Sequence, residues 1–275
     1  MQQPALDGPV EWEAIVTTFI RDHVRRARAD GVVLGLSGGL DSALAAALCV
    51  RALGTDRVVG LLMPSDGSEP EDAAHGRLTA EHLGIEALER SIAPVLEGAE
   101  AALGGPLEGA ARANAKARCR MLLLYAEAQR RGALVCGTGN KSELLTGYFT
   151  KFGDGGNDLQ PLGDLYKTQV RELAEHVGLP EVLITKPPSA GLWPGQTDEE
   201  ELGMSYDDLD RILKGFEFNA QPSTIAARTG IPLEEVLRID GLVRGSEHKR
   251  KAALVPKLGA RTVGVDWRRS VHWDA

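Results

Sequence analysis

The stretch Ser37-Gly38-Gly39-Leu40-Asp41-Ser42 follows the apolar run Val32-Val33-Leu34-Gly35-Leu36 and leads into an alanine- and leucine-rich segment, Ala43 to Leu53. A buried strand, a tight glycine turn and a helix in that order constrain the chain to an α/β fold that aims backbone N–H groups at an anion. The glycines admit close approach and positive φ without strain. Ser37 and Ser42 can add hydroxyl donors. Asp41 is the unusual member, because a carboxylate repels phosphate unless a cation stands between them, and Mg²⁺ already held by phosphates is the usual answer. The loop, Gly35, Leu36, Ser37, Gly38, Gly39, Leu40, Asp41 and Ser42, is therefore read as a site for a nucleoside triphosphate carrying magnesium.

The pattern S-G-G-x-D-S resembles the pyrophosphatase loop of the N-type ATP pyrophosphatases, which cleave ATP between its α and β phosphates. A Walker loop is absent: Gly139-Asn140-Lys141-Ser142 has Asn where that motif needs its second glycine. The dinucleotide fingerprint G-x-G-x-x-G is also missing after the first strand.

With 275 residues, 43% of them hydrophobic, the chain can bury the core of one large α/β domain, read here as a single domain over 1–275. The formal net charge of −8 argues against a protein that lives on nucleic acid, so an anionic substrate needs local cations. No apolar stretch is long enough to span a bilayer and no secretory signal is visible, which points to the cytoplasm. Cys49, Cys119 and Cys136 are far apart within apolar segments and read as small buried hydrophobes in a reducing compartment.

Trp12, Ile15, Val16, Phe19, Ile20, His23 and Val24 recur at helical spacing and predict a first helix within 1–30, with His23 partly buried. Strands are expected at Arg57–Met63, Ile85–Ile92 and Ala133–Cys136, with helices at Glu69–Leu83 and Glu108–Arg131. Alternating strands and helices imply a doubly wound parallel sheet with helices on both faces, ligands sitting at the strands' carboxyl ends. Gly153–Asp158 reads as a flexible acidic loop, and 186–201 as a mobile loop that is either a functional lid or a disordered link. Gln221–Val236 mimics a DNA-binding helix-turn-helix, but carboxylates at its second helix favour a packing pair.

Arg112, Lys116 and Arg120 are spaced by four and form one cationic stripe on a helix. The segment around them, Asn114-Ala115-Lys116-Ala117-Arg118-Cys119-Arg120-Met121, resembles the N-x-K-A-R-x-R-M signature of the NAD synthetases. Six further segments resemble that family in order: Gly137–Glu143, Gly147–Leu162, Leu165–Arg171, Lys186–Ala190, Asp198–Tyr206 and Glu247–Lys251.

The resemblance implies a Rossmann-like, adenine nucleotide alpha hydrolase-like fold, and amidation of deamido-NAD (nicotinic acid adenine dinucleotide) to NAD with ammonia. ATP is the co-substrate and Mg²⁺ the cofactor. The resemblance places Asp41 and Glu143 on the metal. It sets Thr138, Lys167 and Ser189 on ATP and Leu62 and Met63 at the adenosine. Arg120, Lys151, Asp158, His248 and Lys249 fall to deamido-NAD. Ammonium must lose protons, and Asp154 is the candidate acceptor, with the run Asp198–Glu201 as rival. Gly139-Asn140-Lys141-Ser142 looks more like the form of archaeal and glutamine-fed relatives. Glutamine-fed members carry an amidase domain, for which the residues before Gly35 leave no room, so no glutaminase domain is expected and ammonia arrives free or from another protein. The family further implies a homodimer with deamido-NAD bound across the interface, and the helix carrying the cationic stripe is an interface candidate.

Overall fold

A computed structural model describes residues 8–67, 69–189, 197–251, 253–263 and 265–267. Helix α1 (Pro9–Ala27) leads into strand β1 (Val32–Gly35), helix α2 (Leu40–Leu53) and strand β2 (Val58–Leu62). Helix α3 (Pro70–Leu83), strand β3 (Glu86–Glu89) and helices α4 (Ala93–Leu103) and α5 (Gly109–Arg130) follow, then strand β4 (Leu134–Cys136) and helix α6 (Lys141–Thr146). Among the described residues six further α-helices follow: α7 (Lys167–Val177), α8 (Glu181–Ile184), α9 (Asp198–Leu202), α10 (Tyr206–Glu217), α11 (Pro222–Thr229) and α12 (Leu233–Gly245).

The four strands run parallel in the order β3-β2-β1-β4, Val32 pairing with both Val58 and Leu134. Successive strands step outward from β1 on one side, then β4 returns to the other, so the order reverses between β1 and β4. Such a switch point opens a crevice at the strands' carboxyl ends. Side-chain alternation buries both faces: Val32 and Leu34 join α1, α2 and α7 in one core, while Val33, Val59 and Val135 pack with Leu124 and Ala128 of α5 in another. Helix α2 buries Ala43, Ala45, Ala46 and Ala47, small side chains that let it lie between the sheet and its neighbouring helices.

A further core joins Leu209, Ile212 and Leu213 of α10 to Ile225 of α11 and Val236 and Ile239 of α12. The helix-turn-helix look-alike is thus a packing pair, as its carboxylates implied. Cys49, Cys119 and Cys136 are buried free thiols, and the Cys49 and Cys136 sulfurs stand 3.6 Å apart. His23 is half-buried with its ring against Phe19, centroids 4.2 Å apart.

Two of the loops carry local structure. The Gly153–Asp158 loop is tied down: the Thr150 carbonyl accepts from the N–H groups of Gly153 and Gly155, and the Asp158 carboxylate accepts from the Val135 N–H at 2.8 Å. Of 186–201, residues 190–196 lie outside the described residues, while Asp198–Leu202 forms α9, capped by the Thr197 hydroxyl. No helix among the described residues is long and apolar enough to cross a membrane.

Candidate active site

A cavity of about 460 Å³ opens where β1 and β4 end, with the Gly35–Ser42 loop on one wall and the Thr138–Glu143 turn on another. Gly38 takes φ +79°, and a Cβ there would lie 2.1 Å from the Asp72 carbonyl oxygen, so glycine is required twice over. The Ser42 hydroxyl donates to the Gly39 carbonyl at 2.8 Å and accepts from the Ser37 N–H at 3.3 Å and the Ser37 hydroxyl at 3.1 Å. The two serines therefore build the turn as well as offering donors. Helix α2 starts at Leu40 without a side-chain cap, which leaves the N–H groups of its first turn for an anion.

Charge concentrates behind that loop. Asp41 pairs through Oδ2 with the Lys167 ammonium and accepts through Oδ1 from the Asn140 amide at 3.1 Å. Asn140 also caps α6 by accepting from the Glu143 N–H at 3.0 Å, while Glu143 Oε2 accepts from the Asn140 N–H at 3.1 Å. One asparagine thus fixes both acids relative to each other. Burial and the nearby Asp41 charge push the Glu143 carboxyl well above its usual range, with Lys167 opposing. Burial alone would lower the Lys167 amine, but Asp41 and Glu143 outweigh it and hold the amine above its usual value. Asp198, buried beside them, donates nothing to balance the charge: burial raises its carboxyl against the pull of Lys167, and its Oδ2 accepts from the Tyr206 hydroxyl at 3.1 Å.

Three acids facing one lysine, Asp198 buried and Asp41 and Glu143 half-buried at the cavity, make a site that welcomes a further cation. Among the described residues, however, no three His, Cys, Asp or Glu side chains converge on a cage that could hold a metal by themselves. Such a pair of acids suits a cation whose remaining ligands come from a bound polyphosphate.

The raised Glu143 carboxyl has a consequence for stability. Its proton affinity is higher folded than unfolded, so in metal-free protein its stabilising contribution is complete at acid pH. That contribution is lost as pH rises from the ordinary carboxylate range through its raised value. Asp154, Asp198 and Asp210 act in the same direction. Denaturant unfolding of metal-free Glu143→Gln is therefore expected to lose less stability over that window than the wild type. Parallel pH curves for the two proteins would contradict the assignment.

The position of Lys167 is set from beyond the sheet, by α6 and α10. Its own N–H donates to the Ser142 hydroxyl at 3.0 Å, that hydroxyl donates to Asp210 Oδ1 at 2.5 Å, and Asp210 Oδ2 accepts from the Thr168 N–H at 2.9 Å. Asp210 lies on α10, is 1% exposed and fastens the start of α7.

The α5 cations turn toward the 63–67 loop of their own chain. Arg112 pairs with Asp66 at 2.7 Å and Glu100 at 3.1 Å, and Lys116 donates to the Asp66 carbonyl at 2.9 Å. Arg120 donates to the Met63 carbonyl at 3.2 Å. The stripe thus pins the 63–67 loop.

Of the residues expected at the site, the cavity wall includes Leu62, Met63, Arg120, Thr138, Asp154, Lys167, Ser189 and Lys249 beside the phosphate loop and Glu143. Asp154 accepts from the Thr150 N–H at 2.9 Å, and its enclosure raises its carboxyl despite that bond and the charges of Lys249 and Arg120. Lys249 donates to the carbonyls of Gly147 and Phe149. Lys151, Asp158 and His248 are not brought to the wall. Lys151 donates to the His248 carbonyl at 2.8 Å, the His248 Nδ1–H donates to the Gly245 carbonyl, and Asp158 accepts from Val135 and from the Tyr125 hydroxyl.

Asn140 and Ser142 lie within the Gly137–Glu143 motif but received no role from it, and Asp210 lies in none of the motifs. The spacing Asn140-x-x-Glu143 carries a capping-box signal that could have found the first. Nothing in the sequence around Asp210 announces a partner 68 residues away in Ser142.

A parallel sheet with an anion loop at its switch point, two acids and a buried lysine defines an ATP-binding enzyme of the adenine nucleotide alpha hydrolase-like class. The family profile described as NAD synthase matches residues 11–253, and the chain belongs to that family. It is similar to the NH(3)-dependent NAD(+) synthetase of Methanocaldococcus jannaschii, with 46% identity over 246 residues, 88% of this chain and 95% of the relative. Among solved structures it is similar to NMN synthetase from Francisella tularensis, with TM-score 0.81, 38% identity and coverage of 91% of this chain and 99% of that one. It is also similar to the NH3-dependent NAD synthetase of Campylobacter jejuni, with TM-score 0.76, 31% identity and coverage of 90% and 99%.

Proposed function

We propose that this enzyme amidates deamido-NAD to NAD with ammonia, spending ATP and releasing AMP and pyrophosphate, the last step of NAD biosynthesis. The observation that carries the reading is the Asp41–Lys167–Glu143 cluster behind the phosphate loop, in a chain so similar to ammonia-dependent NAD synthetases.

A carboxylate resists amines because its charge is delocalised and oxide is a poor leaving group. Transfer of AMP onto the nicotinate carboxylate forms a mixed anhydride with a good leaving group. Ammonia adds to the acyl carbon and AMP departs. Asp41 and Glu143 would hold Mg²⁺, which when bound shields phosphate charge. The first-turn N–H groups of α2 and the Lys167 ammonium stabilise the charge growing on pyrophosphate. Thr138 and Ser189 bind ATP, and Leu62 and Met63 flank its adenosine. Arg120 and Lys249 hold deamido-NAD, and Asp154 takes a proton from the incoming nitrogen, a role suited to a carboxyl raised by its surroundings.

Lys151, Asp158 and His248 are assigned to the dinucleotide as well. The family likeness supports a homodimer, in which they would meet a dinucleotide held across the interface. A cytoplasmic location is supported by the three buried free cysteines.

Incubation with ATP, Mg²⁺, ammonium and deamido-NAD is expected to yield NAD, AMP and pyrophosphate in equal amounts. ADP as the nucleotide product would overturn the reading. The likeness to an NMN synthetase favours a second one, in which nicotinic acid mononucleotide is the acid amidated. Paired kcat/KM values for the two acids decide between them, and the deamido-NAD value is expected to be the larger.

A further inference from the structure

Lys186 has no part in the assignments above, yet it stands at the cavity wall between the phosphate loop and α3. Its ammonium donates to the Asp72 carboxylate at 2.6 Å and to the Gly38 carbonyl at 3.2 Å. Gly38 is the turn residue of the phosphate loop, and the Asp72 backbone fills the space where a Gly38 side chain would begin. Lys186 therefore closes a three-part joint between the loop, the first turn of α3 and the segment before Ser189. Its side chain is only 18% exposed. An ammonium carries three N–H donors. Two are spent on Asp72 and Gly38, and the third has no partner among the described residues.

The charge balance gives that third donor a purpose. Lys167, the other lysine at the loop, is paired with Asp41 as Lys186 is with Asp72, and it faces Glu143 as well. A polyphosphate arriving at Gly35–Ser42 brings several negative charges to a region already holding Asp41, Glu143, Asp72 and Asp198. A cation bonded to the loop backbone is placed to meet it.

We propose that Lys186 is a second lysine of the ATP triphosphate subsite, binding a phosphate oxygen with its remaining donor while Asp72 and the Gly38 carbonyl keep it in place. Asp72 acts through Lys186 and is a positioning residue. The inference rests on ATP being the nucleotide bound, and not on which acid is amidated.

The test compares Lys186→Met, Lys186→Arg and Asp72→Asn. Kinetic constants are measured for ATP and for deamido-NAD, and direct titration uses α,β-methylene-ATP with Mg²⁺. Losing one charge-assisted hydrogen bond, Lys186→Met should raise both the ATP KM and the analogue Kd about tenfold or more. The deamido-NAD KM should move less than about twofold, since Lys186 does not contact that substrate on this account. Lys186→Arg should recover most of the loss, and Asp72→Asn should give a smaller rise of the same kind. Analogue affinity unchanged in Lys186→Met would overturn the proposal. So would a Lys186→Met protein in which both KM values and the melting temperature shift together, because that marks a brace alone. Failure of the wild type to bind the analogue would instead overturn the ATP reading itself.

Discussion

Asp41→Asn is expected to lower kcat by about a thousandfold, the scale seen when a charge-stabilising group is removed from a closed active site. On the proposed reading Asp41 serves both sides of the reaction: it would be one of two acids available to a phosphate-bound cation, and it is the counter-charge of Lys167. The substitution preserves shape and removes charge, so the loss is electrostatic. Stability falls too, because the Lys167 side chain is 4% exposed and keeps only Glu143 and Asp198 as nearby acids. Stranding a buried charge costs about 3 kcal/mol when nothing compensates, and the remaining acids make that an upper bound here. Adding Lys167→Met to Asp41→Asn should restore part of the stability and none of the turnover. Chemical denaturation followed by circular dichroism, together with steady-state kinetics, checks both halves. A kcat within tenfold of wild type would remove Asp41 from the chemistry.

Gly38→Ala should be nearly as damaging by another route. An L-residue at φ +79° costs about 1–2 kcal/mol. The added methyl would also meet the Asp72 carbonyl oxygen at 2.1 Å, so the loop and α3 must move apart. Shifts of about 1 Å at a reacting centre can cost around a hundredfold in rate, and kcat/KM for ATP is expected to fall by at least that much. Gly54→Ala separates strain from collision, since Gly54 has φ +88° with nothing within 4 Å of its would-be Cβ. That control should show the conformational cost alone and keep full activity. Equal activity in Gly38→Ala and the wild type would mean that the loop does not require the joint with α3.

The parts of the site that were legible in the sequence are those encoded by local pattern. Val32–Leu36 followed by two glycines and Asp41 announces strand, turn and helix, because each step depends on neighbours within a few residues. The parallel sheet followed from alternation of such units, and the carboxyl-end location of Glu143 followed from the sheet. Long-range pairings were not legible. Lys167 meets Asp41 across 126 positions, Asp210 meets Ser142 across 68, and Lys186 meets Asp72 across 114. These contacts depend on how α7, α10 and α3 dock, which no local spacing reports. Arg112 and Lys116 show the reverse: their spacing correctly gave one helical stripe, but only the 63–67 loop reveals that the stripe faces inward. The packing of Gln221–Val236 is likewise a tertiary matter: Ile225 and Val236 join a core with α10 that no local spacing reports.

The account's central claim is that the acid is activated by receiving AMP before the nitrogen arrives. Deamido-NAD labelled with ¹⁸O in its nicotinate carboxylate, turned over with ATP, Mg²⁺ and ammonium, tests this by mass spectrometry of the products. The account predicts one labelled oxygen in the phosphate of AMP for each amide formed, with none in pyrophosphate. Label in pyrophosphate or inorganic phosphate, or unlabelled AMP beside newly made amide, would contradict it.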